Sequence, residues 1–421
     1  MEIKLKYGDS FKAIEISEKA EVTVLQPVAV AVLDSIQTEL KYSLENPLGC
    51  EPLSEQLHRK NPAKIVIAIP DETRPTPVKE LLPILLQDVY RALPELDPFA
   101  ITMIIGGGLH PPPDRETENR ILSPDMVPGC NIVVHDAHNS RVTDFGTTNR
   151  GTPVRINAAV GEADFKMVIG QIDPHQFVGF TGGSKGITIG CAAAESIEHN
   201  HKLMFRENAQ VGRLDGNPVR EDINEAGRMV GIDFAVNAVL NPDMQAVRLL
   251  AGDPEAVLKE GAQTCADVFG VGIGSKFDIV VASCGGYPKD ISLYQAQKGL
   301  NLASHAVKKG GKILLLGACQ QGIGDDIYFD YVCQFATPEE VLQDFKNHNF
   351  SMGAHKAYLF GTTLVNYDVA VFSELDSATM GQCHLRAADP STIIGEWLDG
   401  FKGKPKLAVI PYANTTFFYE K

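Results

Sequence analysis

The chain is expected to fold as an α/β protein of two α/β domains with mostly parallel sheets and an interdomain active-site cleft. Three observations carry that expectation. Continuous apolar runs such as KIVIAIPD (residues 64–71) and FDIVVASC (277–284) have the length of strands buried on both faces. These runs alternate with stretches of helical periodicity, the pattern of strand–helix–strand units. A chain of 421 residues exceeds what one hydrophobic core usually organises.

The elements follow in order. Residues 1–60 open with a short β-like segment and a helix expected over 27–42. After the strand at 64–71, residues 77–93 place Val78, Leu81, Leu82, Leu85, Val89 and Leu93 at helical spacing behind a proline. ITMIIGGGLHPPP is a strand that breaks into glycines and leaves His110 in a proline-stiffened loop. Further strands are expected at 131–137, 165–172 and 233–241. A break at FGVGIGSK (269–276) separates domain 1–272 from domain 273–421. Beyond it come the strand at 277–284, a helix over 290–310 with Asp290 as its N-cap, and strands in GKILLLGAC, VAVFS and KLAVIP.

Composition narrows the function. Apolar content of 44% and charged content of 22% are globular values. A formal net charge of −15 counts against a nucleic-acid or anionic-membrane partner, but not against a small anion held in a local basic pocket. The opening MEIKLKYGDS has no apolar h-region, and no run approaches a membrane span. Eight cysteines occur without a C-x-x-C, so thiols in a reducing cytoplasm are expected.

Four clusters fall at strand ends or helix starts: Asp71, Glu72, Thr73 and Arg74; His110; the stretch from His175 to Lys185; and Tyr294, Gln295 and Lys298. The first three should converge, because parallel strands end on one edge of their sheet. Lys185 follows Gly179, Gly182 and Gly183, where the backbone can approach a ligand closely. Tyr294 and Lys298 share a helix face, for which a solvated surface is the plainer reading. A lone histidine after a strand is more often structural than catalytic. GFTGGSKG fails the P-loop pattern, since Lys185 is followed by Gly186. GVGIGS precedes a strand, so it is no dinucleotide fingerprint. His199-x-His201 on a helix would point its rings apart, which suits one metal ligand better than two.

Two histidines at separate strand ends can act as base and acid in either direction. Arg74 and Lys298 can clamp a carboxylate. Those residue types fit inversion of a carboxylate's stereocentre.

DETRPTP, GGGLHPPP, DPHQFVGFTGGSKG, HNH and GGYPKDISLYQAQKG together resemble the nickel-pincer lactate racemase family, in order and spacing, over nearly the whole chain. The resemblance implies an isomerase, a 2-hydroxyacid racemase or epimerase, that uses a nickel pyridinium-3,5-bisthiocarboxylate mononucleotide. It implies that Lys185 tethers this cofactor covalently, that His201 ligates nickel, and that His110 and His175 are the acid/base pair. Asp71, Glu72, Thr73, Arg74, Tyr294, Gln295 and Tyr358 would touch the cofactor, and Arg74, Gln295 and Lys298 the substrate. The chain departs from the family at Ser184, where lactate racemases have Arg, and at Tyr358, where they have Trp. Those departures suggest a small-molecule 2-hydroxy acid larger or more polar than lactate. Lactate itself, a zinc hydrolase or lyase built on His110, His175 and His201, and a non-catalytic binding protein are the alternatives.

Overall fold

The protein is described by a computed structural model covering residues 1–347 and 353–420. It forms two compact units, one of Ala29–Val268 and one joining Met1–Val28 to Phe269–Lys421.

The Ala29–Val268 unit is built on a six-stranded sheet in the order Ala246–Gly252, Phe234–Leu240, Phe165–Gln171, Ile65–Pro70, Ile101–Gly106, Asn131–Val134. All pairs are parallel except the one made by the Ala246–Gly252 edge strand. The central strands are apolar throughout because helices cover both faces of such a sheet. Ile65, Ile67, Met103 and Phe165 pack with Leu81, Leu85 and Val89 of helix Val78–Ala92 in one core. Burying each such side chain contributes roughly 1.5–3 kcal/mol.

The second unit holds a six-stranded sheet, parallel throughout, in the order Arg386–Ala387, Asp368–Phe372, Val307–Leu316, Phe277–Ser283, Lys406–Ile410, Glu21–Val24. Its core gathers Val280, Leu300, Leu315 and Phe360. No disulfide forms among the described residues, and no described helix is long and apolar enough to cross a membrane.

The two-unit α/β architecture and the strands match the sequence reading; three boundaries differ. The first 28 residues do not belong with the unit that follows them. Glu21–Val24 adds an edge strand to Lys406–Ile410, and only long-range pairing reveals that. The helix expected over 27–42 starts at Ile36, where Ser35 accepts from the Thr38 amide. Asp290 is not a helix cap. It is fully buried and accepts from the amides of Gly8 (2.8 Å) and Ala318 (3.1 Å), while Ser292 caps helix Leu293–Ser304.

Candidate active site

In the Ala29–Val268 unit, strands Ile65–Pro70, Ile101–Gly106 and Phe165–Gln171 run parallel, so their C-terminal ends share one edge. A cavity opens there, lined by Asp71, Arg74, His110, Gln171, Lys185, Asn237 and a run of glycines. The first three clusters therefore contribute to one place, as parallel strand ends require. Glu72 and Thr73 are exposed and do not line it. Glycine is needed where the strand-end loops crowd. A β-carbon on Gly107 would stand 2.9 Å from Asp71 Oδ2, and Gly182 sits at φ +86°, which other residues adopt only under strain.

His110 and Asp71 form a dyad. His110 Nδ1 donates to Asp71 Oδ2 at 2.6 Å, and Thr73 Oγ1 donates to Asp71 Oδ1 at 2.6 Å. Burial pushes the Asp71 carboxyl up, but the hydrogen bonds from His110 and Thr73 and the nearby charges of His110 and Arg74 hold it below its usual value. An ionised Asp71 can only accept, so the proton in this hydrogen bond sits on His110 Nδ1.

His175 is held differently. Its Nδ1 accepts from the Val178 amide over a long 3.3 Å. Phe177 meets the His175 ring edge-on at 4.7 Å and the His201 ring at 5.2 Å. His201 lies on helix Ala194–Lys202 and is buried. Burial first, and then the charge of Lys185, push its pKa down to about 3 against an opposing hydrogen bond with Ile197. Its imidazole is thus neutral at ordinary pH, the form that binds metals.

His199, two positions away, turns elsewhere. Its Nδ1 pairs with Thr152 Oγ1 at 3.0 Å, and Thr152 donates to the fully buried Asp222 at 2.8 Å. Asp222 also accepts from Thr148 (2.6 Å) and Asn200 (2.7 Å). This network fastens the His201 helix to helix Pro218–Val230.

The glycine loop has two supports that sequence reasoning missed. Asn237 Oδ1 accepts from the Gly183 amide at 2.8 Å. Arg220, fully buried, donates to the Phe180 carbonyl and, at 3.3 Å, to the Gly182 carbonyl. Burial pulls its pKa down to about 9, so it stays charged at neutral pH. A polar residue inside FAVNAVL was a readable signal for Asn237; nothing local marked Arg220. Ser184 is buried against helix Pro218–Val230, so that a β-carbon on Gly227 would stand 2.5 Å from Ser184 Cβ. It does not line the cavity.

In the other unit, Tyr294, Gln295 and Lys298 lie on helix Leu293–Ser304. Gln295 is exposed, and Tyr294 is partly buried with its ring 6.5 Å from Tyr328 and 6.3 Å from His355. Burial raises the Tyr294 hydroxyl well above its ordinary pKa. Tyr358 on helix His355–Leu364 packs on Phe345 at 5.4 Å. Lys356, two positions earlier and on the other side of that helix, meets Tyr294 instead. It too was missed.

Two family models match the chain: the lactate racemase N-terminal domain over residues 7–212 and the lactate racemase C-terminal domain over 274–400. Lactate racemase of Thermoanaerobacterium thermosaccharolyticum is 30% identical over 345 residues, spanning 81% of this chain and 80% of that protein. Lactate racemase of Lactiplantibacillus plantarum is 30% identical over 361 residues, 84% of each. The apoprotein structure of the Thermoanaerobacterium thermosaccharolyticum lactate racemase superposes with a TM-score of 0.91 at 26% identity, covering 100% of both chains. A Thermotoga maritima protein at 18% identity and TM-score 0.68, covering 91% of this chain and 98% of its own, shares the fold.

Proposed function

The chain belongs to the lactate racemase family, and we propose that it inverts C2 of a 2-hydroxy acid with a nickel-pincer nucleotide as cofactor. The observation that carries this reading is the Asp71–His110 dyad at a glycine-lined cavity whose wall includes Lys185.

The side chains present fit such a group. Lys185 in the cavity wall supplies an amine for attachment, and the buried His201 supplies a neutral imidazole. A single histidine suits a metal whose other ligands arrive with the nucleotide. Among the described residues no three His, Cys, Asp or Glu gather to hold a metal by themselves. His110, His175 and His201 thus make no three-histidine zinc cluster among the described residues.

A C2 hydrogen beside an ionised carboxylate is a poor acid, so losing it as hydride together with the hydroxyl proton is the easier route. When bound, the nickel-pincer group supplies the hydride acceptor. His110 takes the hydroxyl proton at Nε2, and the ionised Asp71 stabilises the imidazolium that forms. Proton transfer of this kind is worth about 10²–10⁴-fold. His175 plays the same part for the opposite enantiomer, after its ring gives up the long contact with the Val178 amide. Arg74, in the cavity wall, supplies a guanidinium fork for the substrate carboxylate.

Ser184 packs against Gly227 and does not line the cavity, and Tyr358 packs on Phe345. Lactate is a second reading, favoured by the names of both curated relatives.

The test is a panel of single-enantiomer 2-hydroxy acids incubated in deuterated water with cofactor-loaded protein and followed by NMR. Conversion with the C2 hydrogen retained is expected. Deuterium appearing at C2 would overturn the hydride step, and no conversion of any acid would overturn the racemase reading.

A further inference from the structure

Both residues that precede His201 on helix Ala194–Lys202 are tied to one carboxylate, that of Asp222. Asn200 Nδ2 donates to Asp222 Oδ2 at 2.7 Å and to the Val219 carbonyl at 3.2 Å. Two acceptors on one side fix which way that amide faces. His199 reaches the same carboxylate through Thr152, whose Oγ1 donates to Asp222 Oδ2 at 2.8 Å and lies 3.0 Å from His199 Nδ1. A hydroxyl has one proton to give, and Asp222 takes it. His199 must therefore carry a proton on Nδ1 and donate it to Thr152. Thr148 Oγ1 completes the set on Asp222 Oδ1 at 2.6 Å. Thr148 and Thr152 flank the turn between strands Val142–Thr147 and Pro153–Asn157, so a hairpin and two helices meet at this group. Asp222, Asn200, Thr148 and Thr152 are all buried, where a fully satisfied network rigidifies what it joins. The His201 imidazole leans on its own helix through its hydrogen bond with Ile197, so the ring points where the helix carries it.

We propose that Asp222 is a positioning residue for the nickel ligand: by holding Asn200 directly and His199 through Thr152, it sets the direction in which His201 presents its imidazole. The inference rests on the reading of His201 as that ligand. It gives His199 the part of a strut, with its Nδ1 proton spent on Thr152. Partners outside the metal's own ligands act in this way, by fixing the orientation of the group that binds.

Thr152→Val, Thr152→Ser and Asp222→Asn in the full chain test it by two readouts. In the apoprotein, nitrogen-15 NMR of labelled histidine rings, recorded about two pH units above the ordinary histidine pKa of roughly 6.5, locates the His199 proton. It is expected on Nδ1 in wild type and in Thr152→Ser, and to leave that nitrogen in Thr152→Val, where no hydroxyl accepts it. In holoenzyme from a cofactor-making host, the rate at which a chelator removes nickel should rise about 10–100-fold in Thr152→Val and Asp222→Asn, the scale of losing an outer partner of a metal ligand. Thr152→Ser should release nickel near the wild-type rate. The mass added at Lys185 should be unchanged in all three, because the network does not hold that side chain. Nickel release at the wild-type rate in Thr152→Val and Asp222→Asn, loss of nickel and tether mass together, no recovery in Thr152→Ser, or a wild-type His199 proton on Nε2 would each overturn the proposal. Wild-type protein that carries no nickel would overturn the reading of His201 and this inference with it. The His199 proton is read without cofactor, so the two failures are told apart.

Discussion

The strand-end cavity and the lysine-bearing helix pair solve the problem of burying charge in opposite ways. Around the cavity three buried groups are compensated or kept neutral. Asp71 is matched by His110 and Thr73, His201 is kept neutral, and Arg220 is satisfied by backbone carbonyls. On the helix pair, burial and the charge of Lys298 pull the Lys356 amine down to about 7, with Asp325 opposing. A compensated site is preorganised and suits a group that must stay put. The proposed cofactor ligands Lys185 and His201 belong to the first region.

The largest effects should come from breaking the compensated region. Lys185→Ala is expected to abolish covalent cofactor loading, read as loss of added mass in the intact protein from a cofactor-making host. His201→Ala should lose nickel, whereas His110→Ala and His175→Ala should keep it and lose racemisation. Metal analysis of the three decides this, and equal nickel loss in all of them would favour a shared three-histidine site instead.

Asp71→Asn sharpens the same point with a smaller loss. The amide can no longer stabilise the His110 imidazolium, so kcat/KM should fall by about 10²-fold, within the range for acid/base assistance. Because the equilibrium constant between enantiomers is one, the fall must be equal in both directions. Initial rates from each enantiomer check it, and wild-type activity would remove Asp71 from the mechanism.

Arg220→Leu tests whether the glycine loop depends on its buried cation. The Phe180 and Gly182 carbonyls would lose their donor, at a cost of about 2–4 kcal/mol. A lowered midpoint in urea is expected, with cofactor loading impaired in the fraction that folds.

The smallest effect belongs to Lys356. Its folded-state pKa is near 7, below the roughly 10.4 of an unfolded lysine, so between those values the unfolded chain binds more protons. The stability penalty from this amine should therefore be largest below pH 7 and fade as pH rises toward 10. Urea midpoints across that window should show a shallower rise in Lys356→Met than in wild type. Identical slopes would mean that the lysine is not held near its partner helix.

What was legible in the sequence was local and periodic. Apolar runs ending in Asp, Gly or His marked the strands from Ile65, Ile101 and Phe165 and the loops after them, because a strand buried on both faces has no place for polar residues until it ends. The convergence of Asp71, His110 and Lys185 followed from parallel topology alone. The spacing of His199 and His201 on one helix already implied that they part, and they do. Tertiary structure decided everything that depends on which distant segment a side chain meets. It turned Ser184 toward Gly227 and Tyr358 toward Phe345, and it made Asp290 a buried acceptor for Gly8 in place of a helix cap. It sent residues 1–28 to the far end of the chain for their sheet. It placed Arg220 under the glycine loop and Lys356 against Gln297 and Tyr294, neither of which has a local signal. Periodicity records which face of an element is buried. It carries no information about which partner buries that face, and in this protein the partner sets the charge state of the groups that would do the chemistry.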